Sequence, residues 1–94
     1  MNNYSRSIVL IPTLNEKNNL EKLIPDIFGL MPDISVIIAD DNSSDGTQEL
    51  IEKLKEHYPA LFMIKRFKDF GYGRSSIDGF KWVIDKNYDF LVTM

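Results

Sequence analysis

Two adjacent carboxylates are the side chains of this sequence best placed to do chemistry. Asp40 and Asp41 directly follow residues 36–39, a short, largely β-branched apolar run that predicts a buried strand. Asp45 and Gln48 then have the spacing of a helix-capping pair, so a helix should begin just beyond Asp45. The carboxylates therefore lie between the end of a strand and a helix, where open α/β sheets bind ligands. The alternative is that both aspartates only form the turn.

A second polar segment, residues 12–16, follows the first predicted strand in the same way. The first two strands of such a sheet are usually neighbours, which would bring Glu16 and Asp41 to one crevice. Carboxylates accept hydrogen bonds from ribose hydroxyls and base N–H groups, each worth roughly 1.5–3 kcal/mol, and they repel phosphates. The two residues therefore indicate a nucleoside site with the diphosphate further away. Alternatively, Glu16 only complements the dipole of the next helix.

The apolar pattern around these segments alternates between the periods of strands and helices. Asn18 with Glu21 resembles a capping pair, and Pro25 should kink the first helix or start a new turn in it. The order β-α-β-α-β-α-β predicts an α/β fold, a three-layer Rossmann-like parallel sheet. Strands are predicted at 7–11, 34–39, 61–64 and 90–94, and helices over about 20–31, 47–58 and 74–86, the third with Ile77, Phe80, Val83 and Ile84 facing inward.

Glycines mark the start and the middle of the third helix. Residues 71–74 could present N–H groups to an anion, but they follow the third strand and lack the third glycine of a dinucleotide motif, so a tight turn is the preferred interpretation. Gly79, inside the helix, costs about 1 kcal/mol relative to alanine. Close packing of the helix on the sheet would explain it. Trp82 and the phenylalanines are interpreted as packing residues, and His57 as a surface residue.

The overall composition limits the class of protein. The chain has 94 residues, enough for one small domain, and a formal net charge of −3. Lysine and arginine are scattered, which argues against a nucleic-acid partner. The absence of cysteine excludes disulfides and thiolate metal sites. No apolar run approaches the length of a signal peptide core or a membrane span.

Four segments in this order resemble family 2 glycosyltransferases: residues 11–16, 38–47, 71–80 and 90–94. The most similar subgroup is the polyprenyl-phosphate sugar transferases, which includes the dolichol-phosphate mannose synthases. The resemblance covers the chain from about Ser7 onward. It implies the nucleotide-binding half of a GT-A fold, with its parallel sheet ordered 3-2-1-4 and the third helix on the opposite face.

The resemblance also implies roles for individual residues. Pro12, Leu14 and Glu16 match the first nucleotide-contacting loop of the family. Ala39 and Asp41 match the second loop, with Asp41 as the residue that reads the base. Leu14 replaces the tyrosine common at its position. Asp41→Ala should accordingly weaken the binding of UDP or GDP more than a substitution of the preceding aspartate.

As a family member, the chain would be the amino-terminal donor-binding part of an enzyme that transfers a sugar from GDP-mannose or a UDP-sugar. The acceptor would be a polyprenyl phosphate or another glycan acceptor, in cell-envelope glycan synthesis. The family's Asp-x-Asp metal motif would follow Met94. Residues 1–94 are thus expected to form a single domain truncated before that motif and inactive alone. A divalent metal, Mg²⁺ or Mn²⁺, is expected only for the full-length enzyme, at a cytoplasmic location with or without membrane association.

Two other classes of protein remain open at this point. One is a non-catalytic nucleotide-binding or interaction module. The other is a response-regulator-like receiver, which would need an acceptor aspartate where the third strand here ends in Lys65 and Arg66. In either case strand 90–94 is apolar and free of charge. Self-association through this strand is therefore expected.

Overall fold

The computed structural model of the chain describes residues 6–68 and 70–94, except for the side chain of Tyr72. Four strands and three helices alternate along these residues, as the apolar pattern predicts. They are β1 (Ser7–Thr13), α1 (Lys17–Leu30), β2 (Ser35–Asp40), α2 (Thr47–Lys55), β3 (Leu61–Lys65), α3 (Tyr72–Ile84) and β4 (Phe90–Thr93).

The four strands form one parallel sheet ordered β3-β2-β1-β4, which confirms the predicted order. Thr13 at the end of β1 lies opposite Asp40 at the end of β2, and Asp40 lies opposite Lys65 at the end of β3. The carboxyl ends of three neighbouring strands therefore meet at one edge of the sheet. Any ligand at this edge faces the loops that follow β1, β2 and β3.

Helices cover both faces of the sheet, so the fold has the three predicted layers. Val9 and Ile11 of β1 lie in an apolar cluster with residues of α1 and α2. Ile8 and Leu10, which point to the other face, pack with Val83 of α3. This alternation of one strand between two cores follows from the two-residue period of side chains along a strand. The third helix lies on the opposite face from the first two, as predicted.

The first strand is longer than predicted, because Pro12 does not end it. Pro12 lies opposite Ala39 within the ladder to β2. Leu10 accepts a hydrogen bond from Met94 N–H on the β4 side, whereas Thr13 accepts one from Asp41 N–H on the β2 side. By alternation, Pro12, which has no N–H, faces the β4 side of the strand, so the ladder to β2 loses no bond and proline is tolerated.

The predicted inward stripe of α3 is wrong at three of its four positions. Val83 is buried, but Ile77, Phe80 and Ile84 are 49%, 36% and 78% exposed. Among the described side chains of α3, the buried positions are Ser75, Gly79 and Val83, which are spaced by four residues. A Cβ on Gly79 would lie 2.4 Å from Leu10 Cδ1, so the glycine allows the close approach that its position in the helix suggested. The small residues of this contact are invisible to a pattern of large apolar side chains.

The helix ends also differ from the capping pairs read in the sequence. α1 begins at Lys17, so Asn18 lies inside the helix, and the N-cap residue Glu16 makes no side-chain capping bond. Glu16 instead accepts a 2.6 Å hydrogen bond from Asn19 Nδ2. The helix runs without interruption through Pro25 to Leu30. α2 ends at Lys55, three residues before the predicted end.

Strand β4 forms an outer edge of the sheet and carries exposed apolar side chains, with Phe90 67% and Val92 53% exposed. Unpaired edges of this kind are templates for pairing with another chain. We expect the chain to dimerise through β4 or to have poor solubility, and sedimentation measurements over a range of concentrations will show this. Val92→Lys should restore a soluble monomer, because a charge on an edge strand opposes pairing.

A matched control is Ile77→Lys, which places the same charge on an exposed apolar position of α3 instead of on the edge strand. It should leave the association of the chain unchanged. A monodisperse monomer of the natural chain at high concentration would contradict the expectation.

Candidate functional site

A small cavity lies at the carboxyl ends of β1 and β2, beside the first turns of α3. Its volume is about 90 Å³, whereas sites that enclose a whole ligand measure roughly 300–1,000 Å³. The cavity is therefore large enough for only part of a ligand. The cavity is lined by Pro12, Thr13, Leu14, Asp41, Phe70, Gly71 and Ser75.

Asp41 is the charged residue of this cavity, and it is only 6% exposed. Its Oδ1 accepts hydrogen bonds from Ser75 Oγ at 2.6 Å and from Arg66 Nη1 at 2.5 Å. Its Oδ2 accepts a 2.7 Å bond from the N–H of Gly71. A carboxylate has about four acceptor positions. The described contacts fill three of them and leave one, on Oδ2.

Arg66 holds this carboxylate from the end of β3. Its side chain is 4% exposed, and its Nε donates a 2.8 Å hydrogen bond to Asp78 Oδ2 on α3. Nη1 also donates to Ser75 Oγ at 2.9 Å. Arg66 thus joins β3, the loop after β2 and the start of α3 through charge-assisted bonds. We call Asp41, Arg66 and Ser75, which are all buried, the buried cluster.

The buried cluster lowers the pKa of Asp41. Burial raises the pKa, but the hydrogen bonds from Ser75, Gly71 N–H and Arg66, with the charge of Arg66, outweigh it and hold the pKa below its usual value of 3.8. Asp41 is therefore ionised at neutral pH and acts only as an acceptor.

A loss of stability in acid follows from this shift. A lowered folded-state pKa contributes stability that is present above the unfolded value and is lost as the pH falls through the folded value. We expect the urea midpoint to fall as the pH drops below 3.8, and to fall less in Asp41→Asn, which has no carboxyl group to protonate. Equal losses in both proteins would show that other carboxylates account for the acid sensitivity.

Asp40 has a different role from Asp41. It is fully buried and takes four hydrogen bonds, from Thr13 Oγ1, Ser43 N–H, Ser43 Oγ and Gln48 Nε2. These bonds fill all of its acceptor positions. Asp40 therefore ties the end of β1 to the turn after β2. For Asp40, the structure therefore agrees with the alternative interpretation, in which the residue only forms the turn.

The loops after β1 and β2 are joined to each other. Asn15 N–H donates to Ser43 Oγ at 2.8 Å, and Ser44 N–H donates to Asn15 Oδ1 at 2.8 Å. Asn15 adopts a left-handed conformation with φ 54°, which asparagine tolerates better than most residues. Leu14, next to it, is consequently held at the cavity with 55% of its surface exposed.

Asp45 does not form the predicted capping box. Its carboxylate accepts the N–H of Lys17 at 3.1 Å and the N–H of Thr47 at 3.0 Å, so it links the starts of α1 and α2. The residue at the N-cap is Gly46, with φ 93°. Gln48 is bonded to Asp40 instead. Tertiary partners have displaced the local pairing.

The structure brings together three of the five predicted nucleotide-binding residues. Pro12, Leu14 and Asp41 line the cavity. Glu16 lies in a neighbouring groove that shares Pro12 and Thr13 with the cavity. Ala39 is fully buried in the sheet, in the core under α3.

Three residues of the site were not recognised in the sequence. Arg66 and Ser75 belong to the buried cluster, and Phe70 lines the cavity with 51% of its surface exposed. Phe70 is therefore not the packing residue expected from the sequence. In a sheet of known order, the residue after β3 lies beside Asp41. A basic residue at this position was the feature of the sequence that could have identified Arg66.

Comparisons with known proteins agree with this architecture. The sequence profile of "Glycosyl transferase family 2" matches residues 8–94. The chain is 32% identical over 90 residues to a polyprenol monophosphomannose synthase of Mycolicibacterium smegmatis, covering 95% of this chain and 34% of that protein. It is 37% identical over 75 residues to a dolichol-phosphate mannosyltransferase of Pyrococcus furiosus, covering 78% of this chain and 21% of that protein.

A further relative is an undecaprenyl-phosphate mannosyltransferase of Micrococcus luteus, 32% identical over 89 residues, or 95% of this chain and 37% of that protein. The chain thus spans about a third of the length of the bacterial relatives. A solved structure, a mannosyltransferase of Pyrobaculum calidifontis in complex with GDP-Man and Mn²⁺, superposes with a TM-score of 0.73 at 23% identity. It covers 82% of this chain and 24% of that one, and it shows a shared fold.

Proposed function

Because this chain belongs to glycosyltransferase family 2, we propose that it supplies the donor-nucleotide site of a sugar-transferring enzyme. The observation that carries the proposal is the single acceptor position of Asp41 at the wall of the cavity. An ionised carboxylate with one open position accepts one N–H from the edge of a base. Asp40, whose positions are filled, has no such capacity.

The bound nucleoside would extend from the cavity to the neighbouring groove. The two spaces share Pro12 and Thr13, with Asp41 on one side and Glu16 on the other. We propose that Asp41 binds the base and that Glu16 accepts hydrogen bonds from the ribose hydroxyls across Pro12. Ala39 contributes through the strand backbone beneath this position, since its side chain is buried.

We propose GDP-mannose as the donor and a polyprenyl phosphate as the acceptor. This rests on the names of three relatives, which are mannose-transferring enzymes acting with polyprenol, undecaprenyl phosphate and dolichol phosphate, and on the GDP-Man complex of the structural neighbour. A UDP-sugar is the alternative donor. Among the described residues, none of the helices has the length and apolar character needed to cross a membrane.

A divalent cation would neutralise the leaving diphosphate when bound. The described residues do not fit that role. In residues 6–68 and 70–94, no group of three or more histidine, aspartate or glutamate side chains is arranged to hold a metal ion. Asp40 is saturated by hydrogen bonds, and Asp45 bonds to Lys17 and Thr47.

Titration of the isotope-labelled chain with GDP, UDP, ADP and pyrophosphate tests the proposal. We expect saturable binding of GDP or UDP, with amide shift changes around Leu14 and Gly71, because the Asp41 carboxylate accepts the ring N–H of guanine or uracil. ADP should bind more weakly, since adenine presents a ring-nitrogen acceptor beside its amino group. Binding of neither GDP nor UDP would refute the proposal.

Transfer itself is tested with the whole protein. Labelled mannose should pass from GDP-mannose to polyprenyl phosphate. Nucleotide binding by that protein without transfer to any glycan acceptor would instead favour the non-catalytic binding module.

A further inference from the structure

An exposed aromatic ring stands at the cavity that contains Asp41. Phe70 is 51% exposed, and of the described residues that line the cavity it alone carries an aromatic ring. It belongs to neither apolar cluster of the described residues. A large ring that contributes to no core, yet lines a cavity with a carboxylate, has the character of a ligand contact rather than of a packing residue.

The position of Phe70 relative to Asp41 is fixed by the backbone. The N–H of the next residue, Gly71, donates a 2.7 Å hydrogen bond to Asp41 Oδ2. Gly71 has φ 119°, a backbone conformation that residues other than glycine rarely adopt. α3 begins at the following residue. The ring is thus attached directly before two fixed points of the backbone, the bond from Gly71 to the carboxylate and the start of α3.

Leu14 lines the same cavity from the loop after β1 and is 55% exposed. That loop is fixed by the two bonds between Asn15 and the loop after β2. The cavity therefore has one aliphatic and one aromatic side chain at its surface and a carboxylate acceptor at its wall. This combination suits a flat ring with apolar faces and an N–H edge, which is the chemistry of a nucleobase.

We propose that Phe70 stacks on the base of the bound nucleotide, with Leu14 contacting the base from the other loop and the N–H edge directed to Asp41. This assignment rests on the proposed donor-nucleotide function. It predicts that the affinity for the nucleotide depends on the ring of Phe70 itself, whereas the affinity for the diphosphate does not.

Binding of GDP to variants of the chain tests the assignment. Phe70→Ala should weaken GDP binding about 5- to 150-fold, the range found for loss of one base-stacking side chain. Phe70→Tyr should bind GDP like the natural chain, since the ring remains. The matched control is Phe67→Ala, which removes an equally large and more exposed ring, 67% exposed, that does not line the cavity.

The proton spectrum of the ligand supplies a readout that a merely structural role would not change. A stacked phenyl ring should shift the base protons of GDP upfield, and this shift should vanish in Phe70→Ala while the amide spectrum shows an intact fold. If the natural chain binds GDP and Phe70→Ala binds it equally well, with the upfield shift retained, the stacking assignment is wrong and the donor site stands. If the natural chain binds neither GDP nor UDP, the donor site and the stacking fail together.

Discussion

Replacing Arg66 with methionine should lower the free energy of unfolding by about 3–5 kcal/mol. Methionine fills much of the same volume but leaves the carboxylate of Asp41, 6% exposed, without its charged partner. The cost of an unpaired buried charge is the reason for the size of the effect. Urea unfolding at neutral pH, followed by circular dichroism, measures it.

Asp78→Asn is the matched control for this change. It alters a second ionic partner of Arg66, but the Asp78 side chain is 45% exposed, so its contribution is screened by water and should be at most about 1 kcal/mol. If Arg66→Met were as stable as Asp78→Asn, the buried cluster would not be holding the loop after β2 in place.

Replacing Asp41 with asparagine should weaken GDP binding about 10- to 150-fold, which corresponds to the roughly 1.5–3 kcal/mol of a hydrogen bond to a charged group. Asparagine keeps the shape of the side chain but loses the charge, and it replaces one acceptor oxygen with a donor. We prefer it to alanine because alanine would also remove every bond to Arg66, Ser75 and Gly71. Isothermal titration calorimetry on samples shown to be folded provides the measurement.

Asp40→Asn tests whether this effect belongs to the open acceptor position. Asp40 adjoins Asp41 and is also buried, but its acceptor positions are all occupied within the chain. The variant should lose stability with little change in the affinity of the folded protein for GDP. Equal losses of affinity in the two variants would count against the separate roles assigned here to the neighbouring aspartates.

The architecture could be predicted from the sequence because it depends on long, regular signals. Alternating apolar periods located every strand and helix, and the resemblance supplied the sheet order that the structure confirms. Once that order is known, Asp41 must lie at the edge where the first three strands end. Pro12 and Leu14 reach the same cavity for the same reason.

Features that depend on tertiary contacts could not be predicted in the same way. Gly79 and Ser75 are buried positions of α3, and neither counts in a pattern of large apolar residues. Asp45 and Gln48 had the spacing of a capping pair but do not form one. Asp45 accepts a hydrogen bond from Lys17 N–H, and Gln48 donates one to Asp40. In the sequence, Arg66 served only as evidence against a receiver domain, which would have an aspartate at the end of this strand. In the structure it is the centre of the buried cluster.

We propose that the base of a donor nucleotide binds between the loops after β1 and β3, against Asp41. Intermolecular nuclear Overhauser effects between GDP and the labelled chain provide the test. We expect contacts from the base protons to the methyl groups of Leu14 and the ring of Phe70, which both line the cavity. Contacts confined to the groove formed by Phe80, Ile84 and Tyr88, with none to Leu14 or Phe70, would contradict it.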